Sequence, residues 1–168
     1  MATTAMFKAA KQVKDLILAE KISRLAYWMI DLVLPYKTME DPFTICGNPR
    51  FCTQYTNSET GENIGPMLSG TSTWLILSLL AAFGIEYTSR GIELNPILRP
   101  EEELLEYTLN TGKTVFRVSI QKPLGFYRLT DSNVSFEIDG KKVEDQPGPY
   151  ILPLLEDGRE HRVILILS

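Results

Sequence analysis

The chain has 168 residues, of which 44% are hydrophobic and 23% are charged, an ordinary composition for one globular domain or two small ones. A net charge of −4 and a pI near 5.1 exclude the basic surface that nucleic-acid-binding proteins need, and they disfavour attachment to anionic lipid. We therefore expect neither nucleic acid nor a membrane among its partners.

The first residues lack the apolar core and cleavage site of a signal peptide. The longest apolar run, Trp74 to Phe83, is half as long as a membrane span requires. Cys46 and Cys52 are interpreted as two reduced thiols, with a disulfide as the alternative. Because the sequence contains a single histidine, a zinc site is not expected. These features predict a soluble, cytoplasmic protein.

The N-terminal part of the chain carries a helical pattern. Apolar residues recur at three- and four-residue spacing from about Thr3 to Leu34, with a break between two helices expected at Glu20-Lys21. Pro35 ends the segment, because proline cannot continue a helix. A loop rich in glycine, proline and polar residues follows, from about Tyr36 to Leu68. Loops of this length are uncommon and tend to be functional.

A third helix is predicted from Trp74 to Phe83. Ser69-Gly70-Thr71-Ser72 offers N-cap side chains, and Gly84 supplies the stop. The segment is apolar on every face, a pattern typical of a helix buried on all sides. Since the chain has too few other helices to cover it, the remaining cover is expected from the β part, another chain or missing sequence.

From Gly91 onward the pattern changes to short alternating strands separated by turn residues. Asp139-Gly140 is a strong hairpin signal, and Gly112 supplies another turn. Six or more short antiparallel strands predict a β-sandwich. The sequence therefore indicates an α+β protein with a helical domain at residues 1–98 and an antiparallel β-sandwich at residues 99–168. The predicted strands are Gly91–Leu94, Leu104–Leu109, Thr114–Ile120, Val134–Ile138, Lys141–Val143, Tyr150–Leu154 and His161–Leu167.

Two groups of residues are candidates for chemistry. Ser69-Gly70-Thr71 at a helix N-terminus can bind phosphate or another anion, and a plain capped helix is the alternative. Carboxylates of the long loop, Glu62 among them, can bind sugar hydroxyls, while Arg50 can clamp an anion; a solvated loop surface is the alternative. His161 is predicted to be an exposed strand residue.

Several motifs together resemble the C-terminal region of glycoside hydrolase family 94, the inverting glycoside phosphorylases. They include Leu68-Ser-Gly-Thr-Ser-Thr-Trp74, Gly91-Ile-Glu-Leu-Asn-Pro96 and Leu98-Arg-Pro100. The tail, with Val134-Ser-Phe-Glu-Ile-Asp-Gly140 and the stretch from Ile151 to His161, is similar to the closing β-domain of that family. The resemblance covers most of the chain from about Ala19.

The resemblance implies the last helices of an (α/α)6 barrel followed by a C-terminal β-sandwich. The implied reaction is phosphorolysis of a β-glucosidic bond with inversion, in which phosphate attacks the anomeric carbon and a carboxylic acid protonates the leaving oxygen. The family's acid is an aspartate on an earlier helix, and no segment here matches it. The chain alone is therefore expected to be inactive, with inorganic phosphate as co-substrate and no metal or organic cofactor.

Residue by residue, Ser69-Gly70 is similar to the family's phosphate-binding pair, and Asp41-Pro42-Phe43 to its Glu-Pro-Tyr segment at the sugar site. Thr60 stands where the family often has a phosphate-binding histidine. This difference leaves water as an alternative nucleophile. The predicted phosphate-binding residues are Ser69, Gly70 and Thr60, and the predicted sugar-binding residues are Asp41, Phe43, Arg50 and Glu62.

Three hypotheses follow for the chain. The first is the C-terminal part of a phosphorylase, with a β-glucan oligosaccharide or disaccharide as substrate and an apolar helical face that binds the missing N-terminal part or a second copy. The second is a carbohydrate-binding or assembly module without catalysis. The third is the end of an inverting glycosidase that uses water.

Overall fold

The computed structural model describes residues 2–34, 53–60, 62–66, 70–143 and 149–168. Within these ranges the chain is an α+β protein with three α-helices and ten strands, as the sequence predicts at this level. It divides into two compact units, Met1–Ala81 and Ala82–Ser168. The predicted domain boundary lies between residues 98 and 99, whereas the strands between residues 85 and 94 lie in the second unit. The helices are α1 (Ala2–Gln12), α2 (Leu16–Asp31) and α3 (Gly70–Phe83).

The break between α1 and α2 lies at residues 13–15, so its predicted position at Glu20-Lys21 is wrong. Asp15 caps α2: its carboxylate accepts hydrogen bonds from the backbone N–H groups of Ile17 at 2.9 Å and Leu18 at 3.1 Å. An aspartate that satisfies free N–H groups in this way starts a helix strongly. The side-chain cap therefore sets the break, although the apolar periodicity runs across it.

Small residues bring α1 and α2 close together. Ala10, Ala19 and Ala26 are fully buried, and the rings of Phe7 and Tyr27 meet edge to face with centroids 4.9 Å apart. Alanine at such positions lets helix backbones approach, while the aromatic pair adds two large buried side chains. The first unit therefore has a small packed core between these two helices.

The third helix is buried on one face only. Leu75, Ser78 and Ala82 are buried, whereas Ile76 is 57% exposed and Leu77 is 47% exposed. The described residues therefore cover this helix only in part, and the expectation that its remaining cover comes from another chain or from missing sequence stays a prediction. Gly84 ends the helix at φ +68°, as predicted.

The predicted loop from Tyr36 to Leu68 contains a two-stranded antiparallel hairpin, β1 (Thr53–Thr56) and β2 (Asn63–Pro66). The expectation of a structureless loop is wrong for this part of it. Cys46 and Cys52, whose oxidation state was predicted, lie outside the described residues.

The second unit contains two sheets. One has five strands in the order β5-β6-β10-β7-β8, and the other has three in the order β3-β4-β9. Strand β3 is absent from the predicted set, and it forms an antiparallel hairpin with β4. The strands are β3 (Ile85–Thr88), β4 (Gly91–Leu94), β5 (Leu104–Thr111), β6 (Thr114–Gln121), β7 (Val134–Ile138), β8 (Lys141–Lys142), β9 (Tyr150–Leu152) and β10 (Glu160–Leu167).

One strand pair departs from the antiparallel prediction. β10 runs parallel to β6, with Val163 beside Val118, and antiparallel to β7, with Val163 beside Ile138. A parallel neighbour requires a long connection, which the intervening strands β7 to β9 provide. The five-stranded sheet is therefore mixed, and the prediction of an entirely antiparallel β domain is wrong.

A single apolar core joins the two sheets of the second unit. Its buried residues come from the three-stranded sheet, the five-stranded sheet and the segments between them. Phe136 of β7 lies against Tyr150 of β9, with ring centroids 5.0 Å apart. The core consists of Ile92, Leu94, Leu98, Phe116, Val118, Ile120, Leu129, Phe136, Tyr150, Leu152, Val163, Leu165 and Leu167.

Candidate functional site

The predicted phosphate site centres on the start of α3. The helix begins at Gly70, directly after Ser69, which itself lies outside the described residues. The first N–H groups of a 14-residue helix have no partners within the helix, and its dipole makes this end attractive to anions. Chemically, this end of α3 suits a phosphate oxygen or a carboxylate.

Two further predicted residues lie in the connection between β1 and β2. The side chain of Thr60 is exposed, and its hydroxyl accepts a hydrogen bond from the backbone N–H of Glu62 at 3.3 Å. Asn57 organises the same turn: its side-chain oxygen accepts from the N–H groups of Glu59 and Thr60, at 2.9 and 3.3 Å. The structure thus brings Thr60 and Glu62 together in one tight turn. The Thr60 hydroxyl stabilises this turn through its hydrogen bond with Glu62.

The remaining predicted sugar-binding residues are Asp41, Phe43 and Arg50. All three lie outside the described residues, so their role stays a prediction. Within the described ranges, no group of three or more histidine, cysteine, aspartate or glutamate residues is arranged to hold a metal ion. No described helix is long and apolar enough to cross a membrane.

Among the described residues of the second unit, two clefts are lined by residues other than the predicted site residues. The first, of about 260 Å³, is lined by Arg90 and by apolar and aromatic side chains, and Arg90 is paired with Glu93 at 3.0 Å. The second, of about 330 Å³, lies on the polar face of β5, β6 and β10, where Arg117 and Glu160 form an ion pair at 2.6 Å. The charges of these two pairs are therefore already balanced by neighbours within the protein.

Lys122 is a buried cation that sequence analysis missed. Its ammonium donates to the backbone oxygens of Gly125 at 2.9 Å, Pro123 at 3.2 Å and Pro100 at 3.3 Å. Burial lowers the pKa of this lysine, and the neighbouring glutamates oppose that shift. Since three carbonyl groups already surround the ammonium, its role is to hold these segments together.

His161 is the clearest correction to the sequence analysis. It was predicted to be exposed, but its side chain is only 11% exposed, and both ring nitrogens face aspartate carboxylates. The signal was present in the sequence: His161 alternates in phase with Val163, Leu165 and Leu167, which all face the core. A histidine on the inner face of a strand is expected to be buried and to need hydrogen-bond partners.

Comparisons with known proteins do not assign the chain to a family. No protein-family model matches the chain, and no curated protein matches it.

Proposed function

We propose that this chain forms the C-terminal part of a carbohydrate-active enzyme that cleaves β-glucosidic bonds by inverting phosphorolysis. It supplies part of the phosphate and sugar site, and the general acid comes from another part of the enzyme. The substrates are inorganic phosphate and a β-glucan oligosaccharide or disaccharide. A phosphate oxygen attacks the anomeric carbon as its bond to the leaving oxygen breaks. A β-linked glucoside therefore yields an α-configured sugar 1-phosphate.

The observation that carries this proposal is the start of α3 at Gly70. The motif Ser69-Gly70 resembles the phosphate-binding pair of the inverting phosphorylases, and the helix begins at the glycine of that pair. Glycine allows an anion to approach the backbone closely, while the N–H groups and the helix dipole stabilise negative charge. Sequence resemblance and helix geometry therefore support the same phosphate position.

We further infer that the three helices are the last helices of an (α/α)6 barrel and that the second unit is the β-sandwich that follows it. Exposed apolar side chains on α2 and α3 support the first inference, because barrel helices bury such residues against neighbours. The shared core of the two sheets supports the second.

A related inverting glycosidase that uses water is the second candidate. It is favoured by Thr60, which replaces the histidine often found in the phosphorylases and whose hydroxyl accepts from Glu62 within its own turn. The two candidates differ in their product. Phosphorolysis yields a sugar 1-phosphate, whereas hydrolysis yields free sugar.

The test compares the purified chain with the complete enzyme, each incubated with β-linked gluco-oligosaccharides in the presence and absence of inorganic phosphate. We expect no turnover by the chain alone, and phosphate-dependent release of sugar 1-phosphate by the complete enzyme. Release of free sugar irrespective of phosphate would replace the first candidate with the second. Turnover by the isolated chain, or no cleavage by the complete enzyme, would contradict the proposal.

A further inference from the structure

His161 bridges two acidic turns at one end of the five-stranded sheet. Its Nδ1 lies 2.7 Å from Oδ2 of Asp139, in the turn between β7 and β8. Its Nε2 lies 3.0 Å from Oδ2 of Asp157, in the connection that precedes β10. One imidazole thus links two segments that are far apart in sequence.

Only the protonated imidazole fits this arrangement. A neutral imidazole has one N–H donor and one nitrogen lone pair, whereas the imidazolium has two N–H donors. An ionised carboxylate can only accept hydrogen bonds. In the neutral form, one ring nitrogen would therefore direct its lone pair at a carboxylate oxygen, while the charged form donates to both aspartates.

The two carboxylates are held in position by their other oxygens. Oδ1 of Asp139 accepts from the backbone N–H of Arg162 at 2.8 Å. Oδ1 of Asp157 accepts from the backbone N–H of Arg159 at 3.0 Å and from the Thr114 hydroxyl at 3.2 Å. These bonds favour the ionised aspartates, so two fixed negative charges face the ring.

Two uncharged groups of β6 also lie beside the ring or its aspartates. β6 contributes the ring of Phe116, with its centroid 5.5 Å from that of the imidazole, and the Thr114 hydroxyl behind Asp157. The charged groups that act on His161 are Asp139, from the turn between β7 and β8, and Asp157, from the connection before β10. Protonation of the ring therefore depends on these two carboxylates.

We propose that Asp139, His161 and Asp157 form a pH-sensitive clasp, which fastens the β7–β8 turn and the β9–β10 connection to the sheet while His161 is protonated and releases them when it loses its proton. The clasp acts on the second unit and does not depend on any carbohydrate chemistry. Its geometry stabilises the unit in mildly acidic to neutral solution and loosens this end of the sheet in alkaline solution.

The direction of the pH dependence follows from the bonding. The hydrogen bond to Asp139, followed by that to Asp157, raises the pKa of His161 above its ordinary value of about 6.5, and partial desolvation opposes the shift. The stabilisation is therefore fully present below about pH 6.5 and is lost as the pH rises through the pKa of the folded state.

The two aspartates give stability the opposite pH dependence in acidic solution. The hydrogen bond from His161 lowers the pKa of Asp139, and the backbone N–H of Arg159 is the first cause of the lowered pKa of Asp157. Their contributions to stability are present above the ordinary aspartate pKa of about 3.9 and are lost as the pH falls through the pKa values of the folded state. The clasp is thus strongest at pH values between the ordinary pKa of aspartate and that of histidine.

The first experiment is an NMR titration of the His161 ring in the full chain, which gives one resonance set because the sequence has a single histidine. We expect a pKa above 6.5. Asp139→Asn and Asp157→Asn should each lower it, and the double variant should bring it close to the value of a free histidine. Asparagine tolerates the positive φ of residue 139, so the turn is retained. Glu86→Gln, on an exposed position of β3, is the charge-matched control and should leave the pKa unchanged.

The second experiment measures the unfolding equilibrium constant of the full chain by denaturant titration at pH 6.5 and pH 8. Between pH 6.5 and pH 8, we expect this constant to rise roughly threefold to tenfold more in the wild type than in His161→Gln. The reason is that native wild-type protein keeps a proton on His161 that the unfolded chain loses. The proposal is overturned if His161 titrates at or below its ordinary value, if the double variant leaves its pKa unchanged, or if both proteins show the same pH dependence.

Discussion

The two units of the molecule use apolar residues differently. In the second unit, thirteen residues from both sheets and from the segments between them form one buried cluster. In the first unit, α2 exposes Leu18, Leu25 and Trp28 by 47%, 50% and 56%. Leu18, Ile22, Leu25 and Met29 follow one another at four- and three-residue spacing, so they form a stripe along one side of the helix. The β unit therefore buries its own apolar face, whereas the helical unit presents one.

Buried hydroxyl groups without a hydrogen-bond partner occur in both units. Among the described residues they are those of Thr3, Ser23 and Ser78 in the first unit and that of Tyr107 in the second. The buried hydroxyl of Thr114, by contrast, donates to Asp157. Unsatisfied buried polar groups lower stability, so these four positions cost free energy in both units.

The largest expected effect concerns Gly84, at the start of the second unit. A Cβ at this position would lie 1.9 Å from the backbone C and O atoms of Asn95, in addition to the strain of φ +68°. We expect Gly84→Ala to lower the free energy of unfolding by about 4 kcal/mol. Denaturant unfolding followed by circular dichroism measures this.

Gly112 is the matched control, because its φ is +70° and an added Cβ would meet nothing within 4 Å. Gly112→Ala should therefore cost about 1 kcal/mol, from backbone strain alone. Equal losses of unfolding free energy in the two variants would show that the close approach of Gly84 to Asn95 does not contribute to the cost.

A smaller effect is expected within β10. Leu165 is fully buried between Ile120 and Phe136, while its neighbour Ile166 points outward and is 39% exposed. Leu165→Ala should lower the free energy of unfolding by about 3 kcal/mol, and Ile166→Ala by about 1 kcal/mol or less. The same denaturant experiment compares them, and similar losses would argue against the assignment of the inner and outer faces.

The smallest effect on stability is expected on α2. Leu25→Ser and Trp28→Ser should each change the free energy of unfolding by less than about 1 kcal/mol, because both side chains are about half exposed. Both should reduce self-association of the chain measured by sedimentation velocity, since they remove apolar surface. Lys21→Ser, a polar substitution on the same helix, is the control. A wild-type chain that stays monomeric at high concentration would contradict the self-association.

Much of the fold could be predicted where local signals are strong. Asp139-Gly140 forms the predicted two-residue turn, with Ile138 paired to Lys141 and positive φ at both turn residues. Gly84 likewise ends α3 as predicted. In both places the required backbone conformation favours one or two residue types, so the sequence identifies the turn.

Other features depend on distant contacts and could not be predicted in this way. Strand β3 has only four residues, with a burial pattern that does not alternate, and its hairpin partner β4 defines it. The parallel pairing of β10 with β6 depends on sheet order, about which local periodicity carries no information. His161 is the reverse case, since the alternation of β10 already indicates its inward orientation.

The candidate site was predicted mainly from resemblance. Gly70 lies at the start of α3, the end of the helix that was predicted to bind phosphate. Thr60 and Glu62 share one turn. Asp41, Phe43, Arg50 and Ser69 lie outside the described residues. Their roles were predicted from the order and spacing of motifs in the resemblance.

The most direct test of the proposed function is the steady-state kinetics of Ser69→Ala in the complete enzyme. Loss of one hydrogen bond to a charged oxygen should raise the KM for phosphate about tenfold, while the KM for the oligosaccharide changes less than about twofold. An unchanged KM for phosphate would remove Ser69 from the phosphate site and contradict the proposed role of the α3 N-terminus.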